Sequence, residues 1–227
     1  MVRLEEDPRC YGSPAQRTLL KVIGGTPLWR AFFLTGGTCL AAFYLHHRVS
    51  QDLDFFTVED IDLRELVADT RAMLRPEQIV AVGEHFFSCV VEGIKLDFVA
   101  DRFSGPGPRP AVTLDEVAVS IDRLDNLRPN KICALISRGA AKDAVDCYFL
   151  YRDAPETFED DYAVASQREA LLDDLLYAGE RLLCVAEETP EILRRLASDL
   201  RVSVPGDQMA ELFRRLGGEL FRRGQAH

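Results

Sequence analysis

The chain has 227 residues, 47% of them apolar, with 27 basic against 37 acidic side chains and a net charge of −10. Its length suits one large domain or one with an appendage, its apolar content suits a buried core, and its charge leaves room only for a local basic groove rather than a surface that grips nucleic acid everywhere. No apolar run approaches the length of a transmembrane helix and the opening "MVRLEEDPRC" lacks the apolar stretch of a secretion signal, so the expectation is a cytoplasmic protein with no membrane partner.

In chain order, "PAQRTLLKVI" (14–23) predicts an amphipathic helix stopped by Gly24-Gly25. "AFFLTGG" (31–37) reads as a buried strand running into a turn. "TCLAAFYLHH" (38–47) has the apolar content of a helix, with Thr38 as its N-cap. "DLDFF" (52–56) reads as a strand, and 62–74 as a helix with apolar positions 63, 66, 67, 73 and 74. Three β-like runs follow, "QIVAVG" (78–83), "FFSCVVE" (86–92) and "IKLDFVA" (94–100), the last two joined by a Glu92-Gly93 turn. "FSGPGPRP" (103–110) is a Gly/Pro loop. Residues 125–139 read as a helix with Pro129 in its first turn and Gly139 at its end, and 142–151 begins another. From about 160 the pattern is helical, clearest over 167–188 and 209–224, with a shorter helix near 190–200. The expectation is an α+β fold: a mixed sheet flanked by helices over 1–115, then a helical region over 116–227.

The six cysteines (Cys10, Cys39, Cys89, Cys133, Cys147 and Cys184) form no C-x-x-C pair and read as reduced, mostly buried thiols rather than a zinc site or a disulfide framework. Lys21, Lys95, Lys131 and Lys142 are the lysines of an otherwise arginine-based set, which draws attention to each.

Chemistry concentrates in 36–56. Side chains alternate along a strand, so Asp52 and Asp54 project together while Leu53 and Phe55 face the other way. Adjacent carboxylates repel, and a divalent cation is the simplest compensation; Mg²⁺ commonly takes one or two carboxylates together with substrate phosphates. Asp97 is a third candidate, because a half-buried strand rarely carries Asp without a reason, and Lys95 is in phase with it. If that strand lies beside 52–56, three carboxylates meet on one face, enough for metal-assisted phosphoryl chemistry. Gly36, Gly37 and Thr38 can bring backbone N–H groups close to a phosphate. Singly, these are a turn, a solvated strand end and an edge-strand charge. In this order they point to a triphosphate held at one end of the segment and its metal at the other.

The string "LTGGTCLAAFYLHHRVSQDLDFF" resembles the AbiEii/AbiGii nucleotidyltransferase toxins, which include the MenT-type toxins, within the polymerase-β-type nucleotidyltransferase superfamily. The matching residues are Gly36, Gly37 and Thr38, then Tyr44, Leu45, His47, Arg48 and Ser50, then Asp52, Leu53 and Asp54. Downstream come Lys131, Arg138-Gly139, Asp143, Asp146, Tyr148 and Phe149, so the resemblance spans residues 30–152. Thr38 stands where the family often has Ser, and Asp146-Cys147-Tyr148 where Asp-Leu-Tyr is usual. The resemblance implies a polymerase-β-type nucleotidyltransferase core, with Mg²⁺ (or Mn²⁺) on Asp52 and Asp54 and NTP phosphates at the glycine turn and Thr38. It links Lys131 and Asp143 to activity, makes RNA the acceptor, with tRNA 3′ ends the target of MenT-type members, and adds a cognate antitoxin as partner. The region 116–227 is then expected to complete the active-site cleft and to bind acceptor or partner.

The remaining residues stay open at this level. Arg48 could bind phosphate or neutralise Asp52 and Asp54, and Ser50 could orient Asp52 or a phosphate. Adjacent His46 and His47 diverge on a helix, so at least one is expected to be structural. Lys131, beside Ile132, Leu135 and Ile136, either snorkels to solvent or contacts the triphosphate. Asp143 could cap its helix, orient Lys131 or act on the attacking hydroxyl. Arg214, Arg215, Arg222 and Arg223 form a basic face, solvated or meeting RNA. The expected reaction is in-line attack of an acceptor hydroxyl on the α-phosphorus with loss of pyrophosphate, Asp97 or Asp143 assisting deprotonation. The competing readings are protein nucleotidylation or phosphorylation on the same scaffold, and a non-catalytic nucleotide-binding module.

Overall fold

The computed structural model describes residues 4–26, 30–105 and 107–226. The chain divides into two compact units, Met1–Asn126 and Leu127–His227.

The first unit begins with helix α1 (Pro14–Gly24), which stops at Gly25 as expected. Gln16 Oε1 fastens its start by accepting the N–H groups of Gly12 (2.6 Å) and Ser13 (3.2 Å). Five strands follow: β1 (Phe33–Thr35), β2 (Leu53–Thr57), β3 (Gln78–Val82), β4 (Phe86–Val91) and β5 (Ile94–Ala100), in spatial order β1-β2-β5-β4-β3. β2 and β5 run parallel, and the other neighbours are antiparallel. Glu92 and Gly93 join β4 to β5 with φ of 51° and 73°, the positive values that a two-residue hairpin turn favours.

Alternation along these strands lays down two neighbouring rungs. Leu34, Phe55, Phe98 and Phe87 pair across four strands on one face. Phe98 stacks on Phe55 (5.2 Å between centroids) and Phe87 (5.8 Å), with Phe32 edge-on at 5.6 Å. Truncating such a ring costs about 3–5 kcal/mol. One residue along, Thr35, Asp54, Asp97 and Ser88 pair in the same way and project from the opposite face. The aromatic rung therefore anchors the polar one.

Three connections differ from the sequence expectation. The helix expected from Thr38 starts earlier: α2 (Gly36–Leu40) has Thr35 at its N-cap, then widens into a π turn over Ala41–Leu45 that ends at left-handed His46. Gly36 adopts φ 67°, which lets the chain pass from strand to helix without a spacer, and the Thr38 hydroxyl is used elsewhere. Residues 103–110 form the expected loop, with Pro106 outside the described residues, but β6 (Ala111–Leu114) and β7 (Val117–Ser120) then make a hairpin that was not expected. The boundary placed at 115 falls in the turn of that hairpin, where Asp115 has φ 56°. The expected helix over 62–74 is a 3-10 turn (Leu63–Glu65) followed by α3 (Leu66–Met73).

Helix α4 (Leu124–Arg138) carries the chain into the second unit. Pro129 lies inside it rather than in its first turn, because the helix already starts at Leu124. Gly139 ends it as expected, at φ 61°, with its N–H on the Leu135 carbonyl (3.1 Å). α5 (Ala141–Tyr151) is buried continuously from Asp143 to Tyr151, as befits a helix surrounded on all sides. α6 (Thr157–Ser166) follows, then α7 (Leu175–Leu196). α7 starts later than expected, capped by Asp174 on the Tyr177 N–H (3.0 Å). It runs through Pro190 and so absorbs much of the short helix expected near 190–200. α8 (Gly206–Gln225) packs along α7 with Gly179 and Gly217 against each other, where a Cβ on either would come within 2.9 Å of the other's carbonyl oxygen. All six cysteines are free, four of them buried, as expected. Among the described residues, no helix is long and apolar enough to cross a membrane.

Candidate active site

The glycine turn and the first carboxylate pair meet at the end of β1. A Cβ on Gly36 would fall on Oδ2 of Asp54, and one on Gly37 would lie 2.6 Å from Nη2 of Arg48 and 3.0 Å from Oγ of Ser50. The structure thus brings Gly36, Gly37, Arg48, Ser50 and Asp54 together and leaves bare backbone facing them. Arg48 is buried, with Nη1 donating to the Val49 carbonyl at 2.9 Å. Ser50 is held by its backbone, donating to the Cys10 carbonyl (2.8 Å) and accepting from the Gly12 N–H (3.0 Å). Thr38 is fully buried and donates its hydroxyl to the Asp52 carbonyl at 2.5 Å, which ties the helix to the approach of β2. His46 Nε2 lies 3.0 Å from the Glu5 carbonyl oxygen, while His47 is fully buried.

Asp54 and Asp97 are direct partners on the parallel strands β2 and β5, and Asp52 sits one residue before β2. All three are half-buried. Asp97 accepts from Ser88 Oγ through Oδ1 (2.5 Å) and from Lys95 Nζ through Oδ2 (2.6 Å). The Asp97 hydrogen bond holds the Lys95 pKa above the usual lysine value; burial opposes this, and the charges of Asp97, Asp52 and Asp54 add to it. The field of three carboxylates therefore already favours a cation at this corner. Their hard oxygens are the donor type that a divalent ion takes. Among the described residues, no group of three or more His, Cys, Asp and Glu side chains is placed to hold a metal ion as it stands, and at this corner Lys95 occupies Asp97. The Lys95 side chain is 44% exposed, so it can turn away to solvent when another cation arrives.

The downstream residues gather in the helical unit. Lys131 is 5% exposed, so it does not snorkel; its ammonium lies 2.6 Å from Asp146 Oδ2 and 3.3 Å from Asp143 Oδ1. Arg138 grips the other side of Asp143 with Nε on Oδ2 (2.7 Å) and Nη2 on Oδ1 (2.8 Å). Asp143 is the third residue of α5, whose N-cap is Ala140, so its side chain pairs with Lys131 and does not cap the helix. Asp146, which was not singled out for the site, shares one helix face with Asp143 through the i, i+3 spacing of Asp-x-x-Asp. Arg214 and Arg215 border a cleft of about 700 Å³ with Tyr148 and Arg152. Arg214, Arg215 and Arg223 each have a glutamate within 3.5 Å: Glu211, Glu219 and Glu159 respectively.

Comparison with one solved structure agrees with this architecture. The chain is similar in fold to MenT4, a nucleotidyltransferase toxin from Mycobacterium tuberculosis, with a TM-score of 0.56 at 15% identity over 91% of this chain and 81% of that one. It also aligns with JHP933 from Helicobacter pylori, with a TM-score of 0.48 at 16% identity over 93% of this chain and 90% of that one. No curated protein matches it. Residues 26–222 match the model of the AbiEii nucleotidyl transferase toxins of type IV toxin–antitoxin systems. The chain belongs to that family and is a nucleotidyltransferase toxin.

Proposed function

We propose that the enzyme transfers a nucleotide from an NTP to RNA, in the first place to a tRNA 3′ end, in a divalent-cation-dependent reaction at the corner formed by Gly36, Gly37 and Asp54. The observation that supports this best is the closeness of bare backbone to carboxylate, where a Cβ at Gly36 would overlap Asp54 itself. Phosphate oxygens meet the backbone of Gly36 and Gly37, where any larger residue would collide with Asp54, Arg48 and Ser50, and Arg48 and Ser50, facing Gly37, complete the phosphate contacts. Asp52, Asp54 and Asp97 would hold Mg²⁺ or Mn²⁺, which when bound neutralises charge building on the triphosphate. The acceptor hydroxyl attacks the α-phosphorus in line; the new O–P bond forms as the bond to pyrophosphate breaks. The hydroxyl proton passes to a carboxylate, and Asp97 can take it once Lys95 has turned away. Asp143, bound on both oxygens by cations, holds Lys131 in place instead. We further propose that the protein works in the cytoplasm. The toxin–antitoxin setting of the family implies an antitoxin partner.

The test is incubation with Mg²⁺ and each α-labelled NTP in turn, with total RNA and cell protein present, beside Asp52→Ala. Label on RNA that the variant fails to add is expected. Label on protein instead would move the acceptor to protein nucleotidylation, and NTP binding without any label would favour a binding module.

A further inference from the structure

Asp122, at the junction between β7 and α4, is fully buried and touches both sides of the glycine turn. On the strand side, its Oδ2 accepts from Thr35 Oγ1 (2.7 Å) and its N–H donates to the Leu34 carbonyl (2.8 Å). On the helix side, its carbonyl oxygen accepts from the Tyr44 hydroxyl (2.7 Å) and lies 4.0 Å from Cys39 Sγ. Thr35 immediately precedes Gly36 and pairs with Asp54; Cys39 and Tyr44 lie on the helix that leaves the turn. Thr35 is the N-cap of α2, yet its hydroxyl makes no capping bond and goes to Asp122.

The carboxylate is fully engaged. Oδ2 also accepts from Asn126 Nδ2 (2.7 Å), and Oδ1 accepts from the Arg123 N–H (2.9 Å) and lies 3.6 Å from Arg109 Nε. The Arg109 guanidinium sits 3.7 Å over the Phe33 ring of β1. Burying a charge is costly even when paired, and apolar residues of similar volume often serve stability as well. What this network adds is a fixed geometry for the segments on either side of residues 36–38.

We infer that Asp122 is a positioning residue for the nucleotide: through Thr35 on one side and Tyr44 on the other it fixes the backbone that receives the triphosphate. The inference rests on the phosphate-binding reading of the glycine turn. Thr35→Val removes the hydroxyl at nearly constant shape, Thr35→Ser keeps it, and Asp122→Asn turns one acceptor oxygen into a donor facing other donors. Gly37→Ala, which sets a Cβ 2.6 Å from Arg48, probes the phosphate-binding reading by itself. The readouts are the KM for NTP, kcat and the melting temperature.

Thr35→Val and Asp122→Asn are expected to raise the KM for NTP about tenfold, the usual scale for a supporting partner, with kcat little changed. Thr35→Ser is expected to behave as wild type. If Gly37→Ala raises KM while Thr35→Val and Asp122→Asn do not, the positioning role is overturned and the phosphate-binding reading stands. If Gly37→Ala leaves KM unchanged, that reading fails and the inference falls with it. A KM that merely follows melting temperature across the variants, or a Thr35→Ser as impaired as Thr35→Val, also overturns it.

Discussion

In the sheet unit, Asp52, Asp54 and Asp97 are half-buried beside a lysine whose side chain is 44% exposed. In the helical unit, Asp143 and Asp146 are fully buried around a lysine whose side chain is 6% exposed. The residue types are the same and the exposure is opposite. Half-buried carboxylates keep part of their hydration and can exchange one cation for another. Sealed carboxylates cannot lose a partner without stranding a charge in the interior. The first cluster is therefore suited to binding and release, and the second to holding its own geometry. Residue type alone does not separate a site that takes up ligand from one that braces a fold; burial does.

Substitutions can break or sharpen this contrast. The largest expected effect is that of Asp54→Asn, which should lower nucleotide transfer about 10²–10³-fold, the scale of one preorganised electrostatic group, while the melting temperature stays at or above wild type. A clear loss of stability in that variant would erase the distinction between the clusters. Lys131→Met should do the reverse in kind: it leaves two buried carboxylates short of a cation and should cost about 3–5 kcal/mol in urea unfolding. Unchanged stability would show that the helical cluster is not a brace. Smaller again, Lys95→Met removes the resident cation and should lower the Mg²⁺ concentration for half-maximal transfer by up to about tenfold. An increase would mean that Lys95 itself serves the substrate.

The smallest effect is in pH dependence. Burial raises the Asp122 pKa above 3.8, against the pull of its hydrogen bonds from Thr35 and Asn126 and the charge of Arg109. The native state then keeps a proton that the unfolded chain has already lost. That contribution to stability declines as pH rises from 3.8 through the native value, and Asp122→Asn should remove the decline. Compared with wild type, the variant's melting temperature should lose this downward contribution as pH rises above 3.8; equal slopes in the two proteins would contradict the shift.

What the sequence made legible was local. The runs at 52–56, 78–83, 86–92 and 94–100 alternate or are β-branched and aromatic enough to read as strands, and they lie within a residue or two of β2 to β5. Gly36-Gly37-Thr38 and Asp52-x-Asp54 are close in sequence, so their neighbourhood could be expected before any pairing was known. Asp97 was placed only on condition that its strand lay beside β2, which a parallel crossover decides. The β6–β7 hairpin escaped notice because its turn puts Asp115, not glycine, at positive φ and follows a Gly/Pro-rich loop. The sequence reading ends this helix at 188, but α7 runs on through Pro190 to Leu196, where packing against α8 outweighs the local preference for a stop. The sealing of Lys131 could not be read at all, since an apolar stripe beside a lysine looks the same whether the ammonium reaches solvent or two buried carboxylates. Asp122 was invisible for a different reason: its partners Thr35 and Tyr44 lie 87 and 78 residues away, and no spacing rule connects them.

The most direct test of the sheet corner as the site of triphosphate and metal is Mn²⁺ binding, followed by electron paramagnetic resonance. Mn²⁺ would be titrated into wild type and Asp54→Asn with and without a non-hydrolysable NTP analogue. The expected result is Mn²⁺ binding that tightens with the analogue in wild type and weakens about tenfold or more in the variant. Equal binding by the two proteins, with the analogue present, would contradict it.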